Sequence, residues 1–164
     1  MLVVIGIILT LMSLAIPAYH AHRQSALVAN SQRLVTVLSA AITAYTQRVV
    51  SLPDRSQRRL WDFNGDGILD GDPQRDENFA PADRTAAQAA GYVGPLSLLS
   101  WTPPEGQVDA QGRIVDAWRH PLRLDFSRER YGADGVGLWS LGRDGVNADG
   151  GGDDLRGWDG DHAQ

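Results

Sequence analysis

The chain has 164 residues, a net charge of −5 and no cysteine. This size allows one domain plus an N-terminal helix, and an acidic balance with no basic stripe argues against a nucleic-acid partner. The missing cysteines exclude disulfide staples and thiolate metal sites, while 18 glycines, many beside Asp, point to turns and oxygen-ligand loops.

Residues 1–19, MLVVIGIILTLMSLAIPAY, carry no charged side chain. A membrane helix needs roughly 20 apolar residues, so this run is long enough to be one. A cleaved secretory signal is disfavoured. No Arg or Lys precedes the run, and Tyr19-His20-Ala21 is a poor cleavage box. The run continues into VANSQRLVTVLSAAITAYTQRVV with no Gly or Pro after Pro17. That predicts one long helix, apolar over residues 1–19 and amphipathic over residues 20–50, kinked or locally opened at Pro17. Leu27, Leu34, Val35, Leu38, Ile42, Tyr45 and Val49 recur at helical spacing and form one stripe. A helix from Leu2 to Val50 would be about 70 Å long. Ser51-Leu52-Pro53-Asp54 should end it, because a residue before Pro avoids helix.

Residues 51–164 hold all five Trp and are expected to form the globular head. Residues 54–82 are polar and read as a loop around a ligand site, with its Asp-rich part at 62–76. The spacing of Asp62, Asn64, Asp66 and Gly67 matches the opening of an EF-hand calcium loop. Ile68 would offer its carbonyl there, with Asp70 and Asp72 as further carboxylates. Pro73 stands where a bidentate Glu is expected, and flanking helices are not evident. An acidic solvated turn is the plainer alternative. Pro81 to Ala90 reads as a short helix, with Pro81 in its first turn and Gly91 as its C-terminal cap. Leu96 to Trp101 is either a strand or a buried connection, and Thr102 to Gly112 is a loop.

Three strand candidates follow: Arg113 to Val115, Leu122 to Phe126 and Val136 to Leu141. The second alternates apolar and polar residues strictly, as a half-buried strand does. Ser127 to Gly135 supplies a polar turn between the last two. A small antiparallel sheet is the natural closure, with Leu122, Leu124 and Phe126 facing the helix. Trp118 stands between Val115 and Leu122 and is expected to be buried under this sheet.

A second acidic cluster spans residues 140–159, with Asp144, Asn147, Asp149, Asp153 and Asp154 on a Gly-rich frame. Carboxylates this close repel one another unless a cation sits among them. The cluster also fits a flexible acidic tail, although such a tail has no need of the Trp158 indole. The histidines, His20, His22, His120 and His162, make no zinc spacing. No nucleophile elbow, phosphate loop or dinucleotide fingerprint is present, so no enzymatic activity is expected.

The run LVVIGIILTLMSLAIPAY resembles the N-terminal helix of type IV pilins and pseudopilins. DAWRHPLRL, Asp116 to Leu124, resembles the D-P-W-G-x-P-[YL] segment of the type II secretion major pseudopilin. GLWSLGRDG, Gly137 to Gly145, is similar to that family's F-S-L-G-A-D-G. Asp153-Asp154-Leu155 and Gly157-Trp158 stand where the family has N-A-D-I and G-x-W. The motifs come in the family's order. Three departures stand beside them. A basic leader, its Gly and F-T-L-I-E do not precede the apolar run, which reads as a chain numbered from inside a longer precursor. Ala117 and Arg119 replace the usual Pro and Gly, and Asp62 to Arg84 looks like an insertion.

The resemblance implies an α+β fold: a long N-terminal helix, membrane-embedded over its first half, packed on a small antiparallel sheet. It implies a non-enzymatic subunit held in the bacterial inner membrane by a single pass, with a periplasmic head. That subunit would assemble with itself into a periplasmic pseudopilus that promotes protein export. Its partners would be other pseudopilins, the inner-membrane secretion platform and, for the full precursor, a prepilin peptidase, with methylation after cleavage. It also implies Ca2+ in the C-terminal loop, held by Asp144 and Asp154 with the Leu141 carbonyl. Asp149 and Asp153 are extra acids without an assigned role, and the 62–72 loop would be a second calcium site particular to this chain. The alternatives are a minor pseudopilin or type IV pilin-like subunit serving adhesion or DNA uptake, or a non-polymerising, membrane-anchored periplasmic calcium-binding module.

Overall fold

The computed structural model describes residues 2–44, 49–99 and 101–158, except for the side chains of residues 2–15 and of Leu98. The chain is α+β, a long N-terminal helix with small antiparallel sheets.

Helix α1 runs from Leu2 to Ala44, 43 residues, or about 65 Å. Pro17 lies inside it and does not end it. The expected stripe is real. Leu34, Val35, Leu38 and Ile42 are buried, and Leu27 is half-buried. Ser31 and Ser39 fall on the same face and are buried with them. That face packs on the strands described below, whereas residues 16–30 are exposed apart from Gln24 and Leu27. Among the described residues no helix is long and apolar enough to cross a membrane. Most of the apolar run has its side chains outside the description.

The helix does not reach Val50. Val49–Ser51 is strand β1, paired antiparallel with β2, Gln57–Arg59. A β-branched pair favours extended backbone. The turn between the strands is closed by Asp54, whose carboxylate accepts from the Ser56 N–H at 2.9 Å and its hydroxyl at 2.6 Å. Val49 is therefore a strand residue, and Tyr45 lies outside the described residues.

The main sheet has strands β3 (Arg123–Asp125), β4 (Gly137–Ser140) and β5 (Leu155–Arg156), all antiparallel with β4 central. Side chains alternate across it. Leu124 lies opposite Leu138, and both join the α1 stripe in the core. Trp139 points to the other face, where it clusters with Tyr131, Leu141 and Trp158. Gly157 lets the chain after β5 lie directly on α1, since a Cβ there would meet Ser39 and Val35.

The expected strand at Arg113–Val115 forms only single bridges, Val108 to Ile114 and Val115 to Pro121. The turn at 116–120 begins too soon for a ladder, yet Ile114 and Val115 are fully buried. The polar segment after β3 contains a short helix, α3 (Arg128–Tyr131), capped by the Ser127 hydroxyl. Helix α2 spans Pro81–Ala89 as expected, with Pro in its first turn and Gly91 at φ +66° past its end. Pro95–Leu98 is a turn of 3₁₀ helix, so the segment from Leu96 is a connection and not a strand.

The 62–76 segment is built into the head. Leu69 N–H donates to the Leu122 carbonyl and Leu124 N–H to the Gly67 carbonyl, each at 3.0 Å. This lays residues 67–69 along the free edge of β3. Trp61, Phe63, Leu69 and Phe79 are all buried, and Phe63 stacks between Phe79 and Tyr92. The fully buried indole in the main core is Trp61, with Trp101 packed against the same cluster. Trp118 is only partly buried, because its turn wraps a carboxylate instead of filling the sheet.

Candidate metal centre

The C-terminal loop leaves β4 at Ser140 and returns at β5. Its glycines make it compact. Gly142 sits at φ +62°, and a Cβ there would run into the Asp153 carbonyl. The loop closes on its own carboxylates. Asp153 Oδ2 accepts from the Arg143 and Asp144 N–H groups at 2.9 and 3.2 Å. Asp154 Oδ2 accepts from Ala148 and Gly150 at 3.0 and 2.9 Å. Asp144 Oδ1 accepts from Val146, and Asp149 Oδ1 accepts from the Asn147 side-chain amide. Asn147 in turn accepts from the Trp139 indole N–H at 2.8 Å, tying the loop to the aromatic cluster.

Asp154 differs from its neighbours. Its residue is 8% exposed, and its second oxygen, Oδ1, is buried with no hydrogen-bond partner. Burial raises its pKa, and the charges of Asp153 and Asp144 push the same way against the two amides. At Asp153, burial acts upward but the Asp144 and Arg143 amides outweigh it, so its pKa is lowered. Asp144, Asp149 and Asp153 are exposed, and Leu141 is buried with its residue at the loop's start. An unpaired buried carboxylate oxygen among other carboxylates is an unfavourable arrangement that a bound cation would relieve. The donor set is all oxygen, the chemistry Ca2+ prefers. Among the described residues no three His, Asp or Glu side chains stand grouped to hold a metal ion. Calcium would have to draw the carboxylates inward from their amide partners and use carbonyl oxygen as well.

The first acidic loop is arranged differently. Asp62, Asn64 and Asp66 do come together. Asp66 N–H donates to Asp62 Oδ1 at 3.0 Å and to Asn64 Oδ1 at 3.3 Å, and Ile68 N–H donates to Asp66 Oδ1 at 2.8 Å. Burial and the Asp66 charge raise the Asp62 pKa. Ile68 is held in its bridge to Arg123. Asp72 faces away, paired with Arg75 at 2.8 Å. Asp70 is turned into the core, 2% exposed, where its Oδ2 takes the Phe63 N–H at 2.7 Å and contacts the Tyr92 hydroxyl at 2.9 Å. Tyr92 Oη also lies 2.9 Å from the Leu60 carbonyl. A phenol has one proton, so both contacts are hydrogen bonds only when Asp70 carries a proton of its own. Burial accordingly pushes the Asp70 pKa up to about 8.

Behind the C-terminal loop, the turn that carries Trp118 is organised by Asp116, a residue that local pattern gave no role. Asp116 is fully buried and accepts from Trp118 and His120 N–H groups at 2.9 and 2.8 Å, and from the Ser140 hydroxyl at 2.6 Å. Ser31 of α1 accepts from the Ala117 N–H at 3.0 Å. The available signal was Asp116 itself, an acid amid apolar residues just before the Trp. Arg119 in the same turn sits at φ +76°, the conformation that favours glycine.

Set against protein-family models, curated proteins and solved structures, the chain matches none.

Proposed function

We propose that this chain is a structural subunit of a type II secretion pseudopilus, assembling through its N-terminal helix into a periplasmic fibre that promotes protein export, with calcium ordering its C-terminal loop. The fold class in this proposal is pilin-like. The observation that carries it is the division of α1. From Ser31 onward one face is buried against the sheet, while residues 16–30 stand exposed with Ile16, Tyr19 and Val28 outermost. A helix that leaves such apolar side chains exposed among polar ones, unpacked by its own head, acquires partners outside that head. Residues 1–19 supply the inner-membrane anchor, and neighbouring helices bury each other once the subunit leaves the bilayer. A head-to-tail contact that does not close into a ring builds a fibre.

The C-terminal loop supports the calcium part of the reading through the orphaned Asp154 Oδ1. Asp144 and Asp154, with the Leu141 carbonyl, are the proposed ligands. Asp62, Asn64 and Asp66 are a second, local site, to which Asp70 contributes only after leaving Tyr92.

The test uses the full precursor with leader and secretion machinery present, expressed in excess and viewed by electron microscopy. Filaments and rescue of a secretion defect are expected. Leu9→Arg places a charge in the apolar run, which costs about 2.5–3.5 kcal/mol on insertion scales. It should abolish anchoring and fibre growth while the head still folds. An intact precursor that forms no filaments and rescues no secretion defect overturns the reading in favour of a non-polymerising calcium module.

A further inference from the structure

The Asp116 turn lies against the C-terminal loop at Gly142 and, through the His120 ring, at Gly145. Both backbone groups of Gly142 are held from that side. Its N–H donates to the Ser140 hydroxyl oxygen at 3.2 Å, and its carbonyl lies 3.1 Å from His120 Nδ1. The carbonyl only accepts, so the proton sits on Nδ1 and the ring donates. Ser140 is itself oriented by donating to Asp116, whose other oxygen gathers the N–H groups of Trp118 and His120 and so aims the His120 side chain. The far edge of the ring underlies the end of the same turn. A Cβ on Gly145 would come within 2.9 Å of Nε2 and 3.0 Å of Cε1.

Residues 142–145 are thus clamped. His120, Ser140 and Asp116 hold them from below, and Asp153 holds the Arg143 and Asp144 amides from the other side. The clamp follows Leu141 directly and includes Asp144, two of the proposed calcium ligands. A loop ordered during folding does not lose that entropy again when the ion arrives, and preorganisation of this kind appears as affinity.

We propose that His120, aimed by Asp116 and Ser140, is the positioning residue of the C-terminal cation loop. It donates Nδ1–H to the Gly142 carbonyl and so presets the backbone of residues 141–144 for calcium, leaving the Asp144 carboxylate to turn inward when the ion arrives. This rests on the calcium reading of the loop. His120 touches no ion; it acts through Gly142.

The test is calcium titration of the full chain in detergent by calorimetry, with hydrogen exchange on the calcium-free protein. His120→Ala should raise the calcium Kd about tenfold and speed exchange at residues 142–145, with exchange in β3 and β4 unchanged. His120→Asn places an amide N–H where Nδ1–H stood, and it should bind within about threefold of the wild type. A merely structural role would slow or speed exchange throughout the head and leave Kd unchanged. If His120→Ala binds calcium as the wild type does, or if His120→Asn is as weak as His120→Ala, the proposal fails. If the wild type binds no calcium, the cation reading falls and takes this proposal with it, an outcome separate from the variants' behaviour.

Discussion

Two residues hold the sharpest chemistry at the level of single side chains. Asp70 keeps a proton in the folded head that it loses in the unfolded chain, since its pKa is pushed from the ordinary 3.8 to about 8. The native state therefore binds more protons than the unfolded state between those values, and stability falls as pH rises through that interval. The contribution is complete below the ordinary carboxylate value and gone above about pH 8. One proton gives a slope of at most about 1.4 kcal/mol per pH unit. Urea unfolding of the calcium-free chain from pH 5 to 8 should show this decline, and Asp70→Asn should flatten it. An unchanged slope in Asp70→Asn would mean that Asp70 is already ionised beside Tyr92. Arg119 carries the opposite kind of cost, strain in the left-handed region partly offset by a hydrogen bond from its guanidinium to the Gly106 carbonyl. Left-handed backbone costs a non-glycine residue about 1–2 kcal/mol. Arg119→Ala retains the strain and loses the bond, whereas Arg119→Gly loses both. Thermal melts should rank Gly above Ala by roughly 1 kcal/mol. Ala melting at or above Gly would place the turn outside the left-handed region.

The secondary-structure elements divide into those with a regular period and those without. In α1 the period of the apolar stripe marked the buried face directly. Leu38 is fully buried, while Val37 beside it is 41% exposed. Leu38→Ala should cost about 2–5 kcal/mol in denaturant midpoint measurements, and Val37→Ala about 0.5 kcal/mol or less. Equal effects would place the stripe on the wrong flank. The 62–76 segment has no period, and its Gly and Asp content hid its role. Asp66 is exposed and serves its own turn, but Leu69 is fully buried beside Leu122. Asp66→Ala should therefore speed hydrogen exchange only near residues 60–68. Leu69→Ala should weaken the entire head by about 2–5 kcal/mol. Exchange spreading through β4 in the Asp66 variant would show that the turn itself holds the sheet.

For the molecule as a whole, the C-terminal loop is tied to the sheet and to the Asp116 turn by hydrogen bonds. Asn147 is bonded to Trp139, Gly142 to Ser140 and His120, and the loop's return strand pairs with β4. An ion that binds only the folded loop stabilises the head by RT ln(1 + [L]/Kd), about 2.7 kcal/mol at 100 times Kd. Melting of the full chain in detergent should rise with calcium and fall with chelator, and Asp154→Ala should remove most of the difference. Identical melting in calcium and chelator would eliminate calcium from the account.

The sequence by itself determined the elements whose signal is local and periodic. These were the long helix and its stripe through Ile42, the alternation of Leu122, Leu124 and Phe126, and the Pro81 and Gly91 punctuation of α2. It also marked both acidic loops, because Asp and Gly spacing is a local pattern. Only the tertiary structure decided what each acid does. Asp70 went to the core beside Tyr92, and Asp116 to a buried site under the Ser140 hydroxyl, next to the Ala117 N–H bond to Ser31. Those partners lie 22 to 86 residues away along the chain in the cases of Tyr92, Ser140 and Ser31. The bridge from Ile68 to Arg123 depends likewise on pairing with distant backbone. A carboxylate's protonation and its free oxygen follow from burial and neighbours, and these exist only once the chain has packed.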